Sequence, residues 1–105
     1  MKYTRDITEI VHTTHGRVQL KDRGISSLWE KAITDGEVYH KEHDNTLLYV
    51  VACSGIHDDI RMPVGDETLV IIVDGVTKAI ITGFVHPSNP EIWFRVYSNS
   101  FKKIS

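Results

Sequence analysis

The feature of this sequence that most limits its fold is a pair of apolar runs joined by Asp74-Gly75. The run ETLVIIV precedes this dipeptide and the run VTKAIITGFV follows it. Asp-Gly between two such runs is the strongest short-range signal for a β-hairpin, because both residues accept the backbone angles of a tight turn. The sequence therefore predicts a hairpin of antiparallel strands over 67–74 and 76–85.

A second hairpin is predicted before the first one. The segment EVYHKEH is compatible with a strand, Asp44-Asn45 supplies turn chemistry, and Thr46–Ala52 is a dense apolar run. Such a run is typical of a strand in the middle of a sheet, here predicted over 46–53. The late segment EIWFRVYS is predicted either to add a fifth strand or to pack across the sheet. Together the runs predict a four- to five-stranded antiparallel sheet.

The first forty residues instead have helical signals. In HTTHGRVQLKDRG, either Thr13 or Thr14 is placed to cap a helix at its start, and Gly24 is placed to end it in a left-handed conformation. A helix is therefore predicted near 14–23.

A second helix is predicted near 27–35. Either Ser26 or Ser27 is placed to cap it, and Glu30 follows Ser27 by three residues, as in a capping box. Apolar side chains then recur at helical spacing before Gly36. These apolar residues are Leu28, Trp29, Ala32 and Ile33.

These elements predict an α+β fold in which two short N-terminal helices pack on one face of the antiparallel sheet. The other face, or the rim, is then available for a site. The length of 105 residues and the hydrophobic content of 41% are ordinary for one domain, so residues 1–105 are expected to form a single core. Its most buried side chains are expected to be Leu48, Val50, Val51, Leu69, Ile71 and Ile80.

Membrane and disulfide chemistry are not expected. No apolar run approaches the ~20 residues of a membrane span, and MKYTRDITEI lacks the apolar segment of a secretory signal. The lone Cys53 is interpreted as a small buried hydrophobe, with a thiol nucleophile as the alternative.

The charges are segregated along the chain, although the net charge is only −2. Residues 42–76 have one Lys/Arg against seven Asp/Glu, whereas residues 77–105 have four against one. A basic surface for phosphates is compatible with this asymmetry. A strongly nucleic-acid-binding domain, however, usually has a pI well above the value of 6.3 found here.

The first predicted helix has a polar stripe. His15, Gln19 and Arg23 recur every four residues and therefore share one face, and Arg17 and Lys21 form a second such pair on the neighbouring surface. The helix is thus expected to present an imidazole among three cations. An imidazole exchanges protons near pH 7 and cations hold a phosphate, as RNA cleavage requires. The alternative is a solvated helix face with an incidental histidine.

The late strand supplies two further candidates. Alternation along VTKAIITGFVH places Thr82 and His86 on one side, where they are predicted either to face a substrate or to form a polar strand end. The residues expected to share that side are Lys78, Ile80, Thr82, Phe84 and His86.

The remaining histidines and aromatic residues have weaker interpretations. His12, just before the helix, is either a second acid–base group or a surface residue. His40, His43 and the segment 57–59 invite a metal hypothesis, but their spacing matches no zinc signature, so no metal or cofactor is expected. Trp29 is expected in the core. The segment 93–97 has aromatic rings beside Arg95, which suit either base stacking or a half-buried strand.

The run His15-Gly-Arg-Val-Gln-Leu-Lys-Asp-Arg23-Gly24-Ile25-Ser26 and the later AIITGF run resemble a family of small domains. The first helix of that family has the motif His-x3-Arg-x3-Arg-Gly-Ile. The family looks like a branch of the barnase/EndoU/colicin/RelE (BECR) ribonuclease superfamily. Its members include toxins of toxin–antitoxin pairs and C-terminal toxin domains of contact-dependent growth inhibition systems.

The resemblance implies specific roles. His15, Arg23 and Thr82 match the catalytic positions, and Gln19 stands where the family usually has its first arginine. Substrate contacts are assigned to Arg17, Gln19, Lys21 and His86.

The function that the resemblance implies is metal-independent RNA cleavage, with tRNA as the expected substrate. A cognate immunity or antitoxin protein and action in the bacterial cytoplasm are implied with it, and delivery within a larger secreted protein is one route. The alternative is a binding module without enzymatic activity, for example an antitoxin or a small mobile-element protein.

Overall fold

The computed structural model describes residues 3–26, 28–52, 67–86 and 101–105. A 3₁₀ turn at Ile7–Glu9 precedes two α-helices and a sheet. The helices are α1 (Thr14–Asp22) and α2 (Trp29–Asp35), and the strands are β1 (Glu37–Lys41), β2 (Thr46–Ala52), β3 (Thr68–Asp74), β4 (Ile80–His86) and β5 (Lys102–Lys103). The strands form one antiparallel sheet in the order β4-β3-β2-β1-β5, which confirms the predicted α+β fold.

Helix α1 begins and ends where its sequence signals indicate. The Thr13 side chain accepts a hydrogen bond from the Gly16 amide at 2.9 Å. At the other end Gly24 has φ +70°, a conformation that costs a residue with a Cβ roughly 1–2 kcal/mol. The Gly24 and Ile25 amides donate to the carbonyls of Lys21 and Leu20, respectively, which is the Schellman arrangement.

Helix α2 is shorter at its start than predicted. It begins at Trp29, and Leu28 occupies the N-cap without any side-chain hydrogen bond. The predicted cap was Ser26 or Ser27; Ser26 does not occupy the N-cap position, and Ser27 lies outside the described residues. At the other end, the Arg5 guanidinium donates to the carbonyls of Ile33 and Gly36, which satisfies backbone acceptors that a helix end leaves open.

Both predicted hairpins are present. Asn45 takes the left-handed position (φ 52°) in the turn between β1 and β2. The turn between β3 and β4 is longer than the predicted two residues, because the strand resumes only at Ile80. The left-handed residue there is Lys78 (φ 62°), and the Asp74 carboxylate accepts from two backbone amides inside the loop. The prediction of a tight Asp-Gly turn was therefore wrong in length.

The fifth strand among the described residues is β5. Lys102 and Lys103 pair with β1 at the sheet edge opposite β4. The segment 91–98, which was the candidate, lies outside the described residues.

The main core lies between the helices and one face of the sheet. It includes Leu20 and Ile25 from the α1 region, Ala32 and Ile33 from α2, and residues of β1–β4. Of the six side chains expected in the core, Leu48, Val50, Leu69, Ile71 and Ile80 are buried. Val51 is only half-buried, packed against the main core.

The opposite face of the sheet is also apolar. Tyr39, Leu48, Val50 and Val70 are buried there as a second cluster, and Phe101 packs against it. The centre of this face is therefore occupied by apolar side chains. A polar site can instead lie at the rim, where α1 packs against the outer strand β4.

Candidate functional site

Helix α1 lies very close to strand β4. The contact is possible because residue 16 of the helix is glycine: a Cβ there would lie 2.5 Å from the carbonyl oxygen of Ile80 in β4. Such a distance is too short for a real contact, and the atom met belongs to the backbone, so the helix would have to move outward. The close approach brings polar side chains of α1 within reach of the strand.

Three of the predicted site residues meet at this rim. Arg23 Nη1 donates to Thr82 Oγ1 at 2.7 Å and to the Gly83 carbonyl at 2.7 Å. The Thr82 hydroxyl in turn donates to Gln19 Oε1 at 3.4 Å. We call Gln19, Arg23 and Thr82 the rim cluster. It joins residues about sixty positions apart in the chain and leaves Arg23 largely exposed.

A bulge in β4 orients Thr82. Ile80 pairs with Val73 and Thr82 pairs with Ile72, so Ile81 is an extra residue on β4. Because directly paired residues project to the same face, Ile80 projects into the main core, whereas Thr82 shares the other face with Ile72. The prediction that Ile80 and Thr82 share one side was therefore wrong.

His15 is near the rim cluster but not part of it. It is exposed on α1, and it has no hydrogen bond or ion pair with any residue that the structure describes. From helix geometry it lies about 6 Å along the axis before Gln19 and about 12 Å before Arg23. The imidazole is therefore separate from the Arg23 guanidinium, which bonds to Thr82 and Gly83 instead.

His86 lies apart from these groups at the end of β4, paired with Thr68. His86 follows Thr82 by four positions along the strand, which is about 13 Å. It is half-buried.

The other two cations of α1 lie on a different flank of the helix. At about 100° per residue, Arg17 and Lys21 are roughly 160° from Gln19 around the axis, with the buried Leu20 between them. The expected single surface with one imidazole and three cations is therefore not formed. Instead the cations divide into the rim cluster and a second group.

This second group lines a pocket of about 370 Å³ between α1 and α2. We call it the interhelix pocket, and its lining residues are His12, Arg17, Leu20, Lys21, Ser26 and Trp29. His12 packs against Trp29 in a T-shaped arrangement, with ring centroids 4.7 Å apart and planes at 74°. Trp29 itself is buried, as expected. The sequence indicated His12 only by its position before the helix, because its contact with α2 depends on tertiary packing.

The metal hypothesis gains no support from the described residues. His40 Nε2 lies 2.9 Å from Asn45 Oδ1 within the β1–β2 turn, and His43 is exposed. Across the described ranges, no group of three His, Cys, Asp or Glu side chains is placed to hold a metal ion. The segment 57–59, Cys53 and the aromatic segment 93–97 lie outside them. No helix in the described part of the chain is long and apolar enough to cross a membrane.

Comparisons of this chain with protein-family models, curated proteins and solved structures find no match. The interpretation of the site therefore depends on its own geometry and chemistry.

Proposed function

We propose that this domain is an RNA endonuclease and that the scissile phosphate of its RNA substrate binds over the rim cluster. The observation that supports the proposal is the convergence of Arg23 and Gln19 on Thr82 at an exposed edge. A guanidinium, an amide and a hydroxyl side by side offer several hydrogen-bond donors to an anion.

Each group has a role in this proposal. Arg23 uses Nη1 within the protein, which leaves its Nε and Nη2 donors for the phosphate. Gln19 accepts from Thr82 through Oε1, so its Nε2 amide is available as a donor. The amide thus replaces a contact that the family's usual arginine would make, without its charge.

The reaction needs no protein nucleophile. The 2′-oxygen of the ribose forms a bond to phosphorus and the bond from phosphorus to the 5′-oxygen breaks. The 2′-hydroxyl gives up its proton and the 5′-oxygen leaving group gains one. His15 is the group proposed to transfer protons, and Arg23 is proposed to stabilise the charge that develops on the phosphate oxygens. We propose tRNA as the substrate and a dedicated immunity or antitoxin protein as the partner in the bacterial cytoplasm.

Cleavage of total RNA by purified protein in the presence of EDTA tests the proposal. We expect His15→Ala to lower the cleavage rate by about 10²–10⁴, the usual contribution of an acid–base group. His43→Ala is the matched control, because His43 is also an exposed histidine but lies in the β1–β2 turn. Circular dichroism of each sample checks folding. Equal rates for wild type and folded His15→Ala would remove His15 from the mechanism.

Arg23→Ala is expected to lower the rate as well, through lost phosphate contacts. Because the Arg23 side chain also connects α1 to β4 by hydrogen bonds, the thermal unfolding of the Arg23→Ala protein must be measured as well. A loss of activity that only follows the loss of folded protein would argue for a structural role.

A binding module without activity is the second candidate. It is favoured by the Arg23 Nη1 bonds within the protein and by the absence of any described partner that would orient His15. Wild-type protein that binds RNA or a neighbouring gene product but cuts no RNA would select this alternative.

A further inference from the structure

The interhelix pocket has two cations without an acidic partner. Neither Arg17 nor Lys21 forms an ion pair or hydrogen bond with any residue in the described ranges. Like charges at positions i and i+4 of a helix destabilise it by about 0.2–0.5 kcal/mol. The two cations therefore gain no stability from their proximity to each other, whereas an anion in the pocket would contact both residues.

The pocket is also lined by apolar side chains. These are Leu20 and Trp29, and the His12 ring packs against the Trp29 ring. Its volume of about 370 Å³ is at the lower end of ordinary small-ligand pockets, roughly 300–1,000 Å³. This lining suits a ligand that combines an apolar part with an anionic group.

We propose that the interhelix pocket binds one nucleoside monophosphate unit. Arg17 and Lys21 hold the phosphate, His12 and Ser26 supply further polar contacts, and the base or ribose lies on Leu20 and Trp29. The unit comes either from a free nucleotide or from an RNA strand. The RNA source rests on the proposed function, since a strand bound at the rim cluster would then extend around α1 into the pocket.

Fluorescence titration tests this binding. Trp29 and Trp93 are the two tryptophans, so Trp93→Phe leaves Trp29 as the reporter inside the pocket. The probes are adenosine 5′-monophosphate, adenosine, inorganic phosphate and a 2′-O-methyl trinucleotide, which cannot be cleaved by 2′-hydroxyl attack. We expect the Trp29 fluorescence to change saturably with the monophosphate or the trinucleotide. Adenosine, which has no phosphate, is expected to bind more weakly than these ligands by about tenfold or more. Binding of the trinucleotide alone identifies RNA as the source.

Two double variants separate the pocket from general charge. Arg17→Gln/Lys21→Gln is expected to weaken binding by about tenfold or more, as lost charge-assisted contacts do. Lys102→Gln/Lys103→Gln removes the same charge from β5, outside the pocket, and is expected to bind as the parent protein does.

The inference is overturned if neither the monophosphate nor the trinucleotide binds, or if Arg17→Gln/Lys21→Gln binds as tightly as the parent. Equal losses in both double variants would also overturn it. These outcomes are independent of catalysis, because none of the probes is cleaved. Pocket binding without any RNA cleavage would reject the proposed function alone, and cleavage with an unoccupied pocket would reject this inference alone.

Discussion

Arg23 is the residue on which the rim cluster depends, and its position follows from the end of α1. It is the C-cap residue, so its backbone already departs from helical geometry while its side chain extends to β4. The same guanidinium therefore contributes both to packing of the helix on the sheet and to the candidate site. For this reason the effect of an Arg23 substitution on stability must be measured together with its effect on activity.

Asp74 shows how a single carboxylate makes the stability pH-dependent. The backbone amides of Thr77 and Val76 donate to it and lower its pKa from 3.8. Because the pKa is lower in the folded state, the stabilisation is fully present above the unfolded-state value and is lost as the pH falls through the folded value. Acid therefore weakens this turn.

We expect Asp74→Asn to reduce the acid sensitivity of the fold. Asparagine keeps an oxygen acceptor for the two amides but does not titrate. Urea unfolding of both proteins at about pH 5 and about pH 2.5 measures the effect. Wild type should lose more stability than the variant over this interval. Equal losses would show that Asp74 does not contribute to the pH dependence.

At the scale of the element, α1 depends on its C-terminal cap. Gly24 provides the left-handed residue of the Schellman arrangement, and Ile25 then enters the main core. The cap thus determines both where the helix ends and the position from which the Arg23 side chain extends to β4.

Gly24→Ala is expected to destabilise the protein by about 1 kcal/mol or slightly more, because alanine is disfavoured at positive φ. Space is not the reason, since a Cβ there would have no heavy atom of the described residues within 4 Å, apart from its own chain neighbours. Gly24→Asn is the matched control and should cost less, since asparagine tolerates this conformation. Urea unfolding midpoints of the three proteins provide the measurement. An alanine variant as stable as wild type would contradict the capping role.

At the scale of the whole molecule, the sheet has a core on each face. The main core underlies the helices, and the smaller cluster around Tyr39 and Leu48 lies on the opposite face. A sheet buried on both faces needs apolar residues at successive positions, which explains the unbroken apolar runs of β2 and β3.

Both cores are expected to stabilise the fold. Ile71→Ala in the main core and Leu48→Ala in the smaller cluster should each cost about 2–5 kcal/mol. Val76→Ala is the control, because Val76 is 75% exposed and should change stability by no more than about 0.5 kcal/mol. Chemical denaturation measures all three. An unchanged midpoint for Leu48→Ala would mean that the second cluster contributes little.

The sequence by itself determined the local features of this protein. The Thr13 cap, the left-handed Gly24, both hairpins and five of the six expected core residues were predictable, because each depends on neighbours in the chain or on a simple period. The polar stripe of α1 was predictable for the same reason.

Tertiary structure decided what these elements contact. The bond between Arg23 and Thr82 requires α1 to lie against β4, and it requires the bulge at Ile81 that turns Thr82 away from the main core. Helical spacing shows which residues share a face but not what packs beside that face. It therefore did not show that Arg17 and Lys21 line a pocket with α2, or that His12 meets Trp29 there. Those arrangements follow from how the two helices pack on the sheet, which no local pattern encodes.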